Sequence, residues 1–358
     1  MIHDVPTYLL YSAAVLLSAI ISMYAVKKII FITRHRGLFD IPDNIRKIHG
    51  AEIPSLGGIG IFVGYMVIAA FFIDMHGYPI IAASVVLFFT GIYDDIMNMR
   101  PSKKLLAQLL AASLPVLFSD IRIASLQGIA GIDELPYWVS VGGTIFLCTF
   151  FINVFNFMDG IDGLACTLAI LYTGVLGAMF AASGATNMAC ISFSLTGATM
   201  GLLYFNRAPA RIYMGDTGSM LLGFMIFTLS VIYLRKVGYE IKFSGLEKSN
   251  HDLLVLISLV FIPVFDALRV FVLRASKGIS PLRADRTHLH YYLLDAGFSH
   301  NGAVAVIAIA NVVLTGIVWL LHAMPAVVLL GIMIFFTGVL VLRIVAMRKV
   351  ALAHSAVN

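Results

Sequence analysis

The chain of 358 residues is 60% hydrophobic and only 12% charged, with a formal net charge of +5 and a mean hydropathy of +0.95. A soluble domain carries about twice that charged fraction, so a soluble globular protein is excluded and no nucleic-acid partner is expected. The expected fold class is all-α, a polytopic integral membrane protein among membrane lipids, because hydrocarbon tolerates only structures that satisfy their own backbone groups.

In chain order, eleven apolar runs read as transmembrane helices: 8–32, 56–73, 79–97, 103–118, 137–157, 163–182, 187–205, 217–235, 252–273, 301–321 and 325–346. The N-terminus, MIHDVPTY, lacks the basic region of a removable signal peptide, and the first run continues into AVKKIIFITRHR without a small-residue cleavage site. Alternation places 19 of the 24 Lys and Arg residues on one side and leaves Arg122, Arg235, Lys236, Lys242 and Lys248 on the other. The first side is therefore read as cytoplasmic, with the N-terminus outside and the C-terminus inside. The outer segment SDIRIASLQGIAGIDELPYW is long enough for a small hairpin. Cys148, Cys166 and Cys190 lie in apolar surroundings without metal-ligand spacing.

Eleven of the 19 acidic residues fall in or beside the cytoplasmic loops: Asp40, Asp43, Glu52, Asp94, Asp95, Asp159, Asp162, Asp216, Asp266, Asp285 and Asp295. Acids that abut apolar spans are costly and usually keep a functional reason. In GIYDDIMNM, Asp94 and Asp95 close the third run, where two acids at a helix C-terminus oppose the macrodipole and call for a cation or a basic neighbour. The bland alternative there is a solvated helix end.

In NVFNFMDGIDGLA, the polar residues Asn153, Asn156, Asp159 and Asp162 recur in steps of three. Such steps drift around an α-helix, and Gly160 and Gly163 point to a helix that opens here into a turn where a ligand can approach. A plain Gly-rich turn explains the Asp and Gly residues but not the two Asn a helical turn earlier. In FNRAPARIYMGDTGSMLLGF, ordinary capping by Asp216 or Thr217 leaves Asn206, Arg207 and Arg211 unexplained. A helix N-terminus flanked by Gly215 and Gly218 also suits phosphate oxygens, with a carboxylate to hold Mg²⁺ against them.

In SPLRADRTHLHYYLLDAGFSH, Arg283, Arg286, His288 and His290 crowd a short loop. His-x-His suggests zinc, but no Cys accompanies it and the Arg pair would repel a metal, so anionic oxygens are the better match. Arg46, Lys47 and His49, in LFDIPDNIRKIHGAEIPSLGGIGIF, complete a basic ring that simple positive-inside anchoring also explains. Carboxylates in several segments with Arg, Lys and His between them, all at one membrane face, fit metal-assisted phosphoryl transfer between a lipid and a soluble nucleotide. The rival from another class is an ion-coupled transporter, whose acids would sit near the midplane between paired repeats. No repeat is visible here.

The motifs DDIMNM, NVFNFMDGIDGLA, FNRAPARIYMGDTGS, SPLRADRTHLHYYLL and DNIRKIHGAEIPSLGG, in this order save the last, which precedes the others, resemble those of the polyprenyl-phosphate N-acetylhexosamine-1-phosphate transferases. The resemblance runs from about Asp40 to Gly297 and is greatest to the bacterial undecaprenyl-phosphate GlcNAc-1-phosphate transferases. The muramoyl-pentapeptide branch carries three consecutive histidines that this chain lacks, and Tyr291 stands where close relatives tend to have a further His.

What this implies is one transmembrane catalytic domain over residues 1–358, multi-pass in the inner (plasma) membrane, with its active site on the cytoplasmic face. The implied reaction joins a UDP-N-acetylhexosamine to polyprenyl phosphate, releases UMP and uses Mg²⁺, or Mn²⁺ in its place, as the first membrane step of a cell-envelope polysaccharide. A homodimer is implied on the same ground. By the same resemblance Asp159 and Asp216 are metal ligands, Asp162 sits near the uridine, and Asp94 and Asp95 lie by the lipid phosphate with Asp94 the base. Arg283, Arg286, His288 and His290 hold the diphosphate and the N-acetyl side, while Arg46 and Lys47 contact either substrate. His49, Asn153, Asn156 and Asn206 join the substrate-binding set. The transfer is expected as direct attack of a lipid-phosphate oxygen, with a covalent Asp intermediate as the alternative.

Overall fold

The computed structural model describes residues 6–36, 53–126, 131–132, 134–237, 251–278 and 286–357. Arg46, Lys47, His49 and Arg283 lie outside these residues. The described chain is helical: α1 (Thr7–Arg36), α2 (Gly58–Phe72), α3 (Tyr78–Met97), α4 (Pro101–Ser119), α5 (Tyr137–Met158), α6 (Leu164–Ala182), α7 (Thr186–Asn206), α8 (Gly215–Ile232), α9 (His251–Ala275), α10 (Leu289–Asp295), α11 (His300–Leu320) and α12 (Ala326–Val357).

Each of the eleven apolar runs has become a helix, and α10 is an addition that periodicity in a seven-residue segment could not reveal. Among the described residues, nine helices are long and apolar enough to cross a bilayer, so this is a multi-pass membrane protein. The two others are α2, whose 15 residues reach only about 22 Å, and α4, which opens on Lys103 and Lys104 and carries Gln108. Outside the helices, Ser125 and Glu134 form an isolated antiparallel bridge.

Helix α8 is the axis of the bundle. Almost every residue from Thr217 to Ile232 is buried, and α2, α3, α5 and α6 pack around it. The approach is closest at its N-terminal end. Gly57 and Gly58 donate backbone hydrogen bonds to Tyr213 O and Met214 O at 3.0 and 2.8 Å, and Tyr213 N donates to Pro54 O at 2.8 Å. A Cβ on Gly58 would fall inside the backbone of Gly218, and one on Gly91 inside that of Thr217. Backbone cannot retreat as a flexible side chain can, and overpacking costs about 1–3 kcal/mol or more. Gly58→Ala is therefore expected to lower the thermal midpoint in detergent clearly, whereas Gly316→Ala, with open space around it, should leave it in place. Equal midpoints would show that this contact does not hold the bundle.

Candidate active site

The ends of α3, α5 and α7 and the starts of α4, α6 and α8 meet at one end of the bundle, and the polar residues of the motifs meet with them. Asp95, at the end of α3, spends both carboxylate oxygens on the first turn of α8. Oδ1 accepts from Asp216 N at 2.7 Å, while Oδ2 accepts from Thr217 N at 3.0 Å and Thr217 Oγ1 at 2.6 Å. Asp159, in the α5–α6 turn, accepts from Gly215 N at 3.0 Å. The α8 N-terminus is thus capped by side-chain oxygens from two other segments, which satisfy three of its orphan donors.

Gly215 holds φ +72°, and a Cβ there would run into Ser55 O, so this turn requires glycine. The expectation that these backbone N–H groups receive phosphate is corrected: they are already taken by Asp95 and Asp159. Asp216 and Thr217 do not cap their own helix either.

Lys104 Nζ bridges Asp94 Oδ2 and Asp216 Oδ1, at 2.9 Å from each. Asp94 is buried, and its Oδ1 accepts from Met99 N at 2.6 Å. Asn156 Nδ2 donates to Asp216 Oδ1 and also to Ser219 Oγ, the latter at 2.8 Å. The macrodipole conflict at the end of α3 is therefore relieved twice, by an ammonium for Asp94 and by the α8 N-terminus for Asp95.

Lys104→Met would leave Asp94 and Asp216 facing each other without that ammonium. The variant is expected to melt earlier in EDTA and to regain part of the loss with millimolar Mg²⁺. Identical melting in both buffers would remove Lys104 as the counter-charge.

The α5–α6 turn is laced to the loop before α8. Asn206 Oδ1 accepts from Gly163 N at 3.1 Å and its Nδ2 donates to Ile212 O at 2.9 Å, while Asp162 Oδ2 accepts from Ala210 N at 3.1 Å. Asp162 Oδ1 also lies 3.6 Å from His300 Nδ1. Burial pushes the Asp159 carboxyl well above the ordinary carboxylate range. The Gly215 bond opposes this, and the carboxylates of Asp216, Asp95 and Asp162 push it further up.

These residues fit a divalent ion in a particular way. Among the described residues no three His, Cys, Asp or Glu side chains stand close enough to form a metal cage. Mg²⁺ seldom uses one: it binds through one or two carboxylates and completes its octahedron with water and substrate phosphates. Asp159 and Asp216, each with one oxygen committed inside the protein, are such a pair of hard donors. A bound cation would also reverse the repulsion that raises Asp159.

On the far wall of the site, the start of α10 carries His288 and His290, both buried, with rings parallel within 3° and centroids 5.6 Å apart. His290 lies against the α5–α6 turn at Gly160 and packs on Tyr291. Burial, with His288 adding to it, pulls His290 down to about 3, so its ring is neutral at pH 7. Arginine supplies permanent positive charge on this wall. Arg286 and Arg348 share Asp295, at 3.3 and 2.9 Å, and cover the rings of Tyr291 and Tyr292.

Residues 78–234 match the family described as glycosyl transferase family 4. The chain is 27% identical over 319 residues to the probable undecaprenyl-phosphate N-acetylglucosaminyl 1-phosphate transferase of Bacillus subtilis strain 168, covering 87% of this chain and 84% of that one. It is 28% identical over 293 residues to the undecaprenyl-phosphate alpha-N-acetylglucosaminyl 1-phosphate transferase of Escherichia coli K12, covering 78% and 76%. With the decaprenyl-phosphate N-acetylglucosaminephosphotransferase of Mycobacterium tuberculosis CDC 1551 / Oshkosh it shares 30% identity over 320 residues, 82% of this chain and 78% of the relative.

The chain belongs to the polyprenyl-phosphate N-acetylhexosamine-1-phosphate transferase family. It is an enzyme of the phosphotransferase type.

Within this transferase, Asp94, Asp95, Asn156, Asp159 and Asp216 converge as the sequence suggested, and Asp162 and His290 adjoin the same turn. Asn153 and Asn206 differ from expectation. Asn153 exchanges hydrogen bonds with Gln108 and donates to Thr149 O at 2.8 Å. Asn206 is buried, with both ends of its amide used inside the protein. Both serve as struts that hold the polar turns in place. The residues sequence reasoning passed over are Lys104, Gln108, Asp266, Arg269 and His300. In the sequence Lys104 is one positive-inside charge among 19 and Asp266 one acid among eleven, although an acid inside LVFIPVFDALRVFVL is itself a signal.

Proposed function

We propose that this transferase moves GlcNAc-1-phosphate from UDP-GlcNAc to polyprenyl phosphate, releasing UMP, at the cytoplasmic face of the plasma membrane. The observation that carries this reading is the convergence of Asp159, Asp216, Asp94 and Lys104 from four helix ends. The names of the relatives support the substrates, since those proteins are named for undecaprenyl or decaprenyl phosphate and for N-acetylglucosamine. The 19-to-5 division of basic residues supports the orientation.

Asp159 and Asp216 would hold Mg²⁺, which when bound would neutralise the diphosphate and the charge developing on the leaving UMP. Asn156 and Lys104 fix the Asp216 carboxylate, so the donor is in place before substrate arrives. A lipid-phosphate oxygen attacks the sugar-bearing phosphorus, the bond to the UMP phosphate oxygen breaks, and UMP departs with that electron pair. Since a phosphate monoester has its second pKa near about 6, the attacking group is largely dianionic at neutral pH and needs little help from a base. Both oxygens of Asp94 are engaged, one by Lys104 and one by Met99 N. That favours a role in setting Lys104 over one in proton removal.

The test is UMP release from UDP-GlcNAc in detergent, dependent on both a divalent ion and polyprenyl phosphate. No release with both present would sink the reading. Competition among UDP-GlcNAc, UDP-GalNAc and a UDP-N-acetyl-6-deoxyhexosamine decides the sugar.

A further inference from the structure

The buried acid of α9 plays no part in the reaction as described so far. Asp266 is 3% exposed within a helix that is otherwise apolar over most of its length, a costly place for a carboxylate. Its oxygens are divided between two tasks. Oδ1 takes a forked pair from Arg269, Nε at 3.1 Å and a terminal nitrogen at 2.7 Å. Oδ2 faces His288 Nδ1 at 2.9 Å and accepts from Leu289 N at 3.1 Å. The same terminal nitrogen of Arg269 donates to Thr287 O at 2.5 Å. One helix turn of α9 therefore grips three consecutive residues, Thr287, His288 and Leu289, at the start of α10.

This grip has a chemical consequence for the imidazole. A carboxylate is an acceptor only, so the nitrogen that faces it must carry the proton. His288 is held as the Nδ1–H form, and a neutral ring then has its lone pair on Nε2. That Nε2 is buried and has no hydrogen-bond partner among the described residues, and neither has Nε2 of the parallel His290 ring. The ring of Phe157, two residues before Asp159, lies 5.5 Å from His288 on the side of the α5–α6 turn. A buried polar atom without a partner, beside the carboxylate turn, is a place where a ligand's hydroxyl or amide N–H completes the set.

We propose that Asp266 is a positioning residue of the transferase: through Nδ1 it fixes the tautomer and orientation of His288 and so aims Nε2 at the bound sugar nucleotide, with Arg269 holding the carboxylate in place. The assignment rests on the functional reading above for the identity of that ligand. It predicts how Asp266→Asn fails. Arg269 and Leu289 both donate to the side chain, and with His288 Nδ1–H it faces three donors. An amide can offer an oxygen to one side only, so its NH₂ is turned toward His288 whenever its oxygen stays with Arg269. His288 must then accept at Nδ1 and carry its proton on Nε2.

The experiment is a double-mutant cycle on the full-length protein in detergent, reading kcat for UMP release per folded molecule. Asp266→Asn and His288→Gln are each expected to lower kcat by about 10- to 100-fold, the usual cost of losing an orienting partner. The double variant should be no slower than the slower single one. Effects that multiply, or an unchanged kcat in Asp266→Asn, would overturn the proposal and leave Asp266 as a fastening between α9 and α10. The second measurement does not depend on turnover. In ¹⁵N-histidine-labelled protein, the His288 signal should report a protonated Nδ1 in the wild type and a protonated Nε2 in Asp266→Asn; the same tautomer in both would also overturn it. A wild-type protein that releases no UMP counts against the functional reading alone, and the nitrogen spectrum then decides the fate of Asp266.

Discussion

Asp216→Asn is expected to lower turnover by about 10³-fold, the scale on which removing one preorganised electrostatic group acts, and to abolish the response of the remaining activity to Mg²⁺. The carboxylate sits on the first turn of α8 with Lys104 and Asn156 on one oxygen. Replacing it by an amide keeps the volume and one acceptor but discards the charge that a divalent ion needs. The backbone of that turn is held by Asp95 and Asp159, not by the Asp216 side chain, so the variant should melt close to the wild type. UMP release against Mg²⁺ concentration, with melting in the same detergent, makes the check. Near-normal activity would remove Asp216 from the metal site.

Asp95→Ala should fail in the opposite manner, by losing the fold first. It strips two acceptor oxygens, and the three hydrogen bonds they take, from the buried start of α8, leaving two backbone N–H groups and the Thr217 hydroxyl without their partner. Unsatisfied buried donors and a lost helix cap together amount to about 3 kcal/mol. The start of α8 is also where α2 and α3 close on it without room for adjustment. The expected result is a clearly lowered thermal midpoint, with activity lost in proportion to folded protein. Asp95→Asn, which keeps an oxygen for one of the donors, should fall between. A variant that melts like the wild type yet turns over nothing would return Asp95 to the reaction itself.

The contrast between these neighbouring acids shows where sequence reasoning stops. DDIMNM announced two carboxylates with a macrodipole problem, and that problem is real. Nothing in the string says that one acid is answered by Lys104, nine residues after Asp95, and the other by a helix that begins 120 residues further on. The same holds for NVFNFMDGIDGLA. Its glycines correctly forecast that the helix opens after Met158. What each of its four polar residues does depends on partners from α4, α8, α11 and the loop before α8.

The local alphabet of the chain was sufficient for the membrane helices, for the one-sided gathering of acids and bases, and for the motifs that tie it to its family. These follow from hydropathy, charge and spacing, which act on neighbouring residues and can be read in order. Tertiary structure alone decided that Asp95 caps α8, that the N–H groups of that helix are spent on carboxylates, and that Asp266 stands behind His288. Each is a hydrogen bond or ion pair that acts over about 3 Å between groups far apart in sequence. Such contacts are set by how the helices pack, and no run of residues records them.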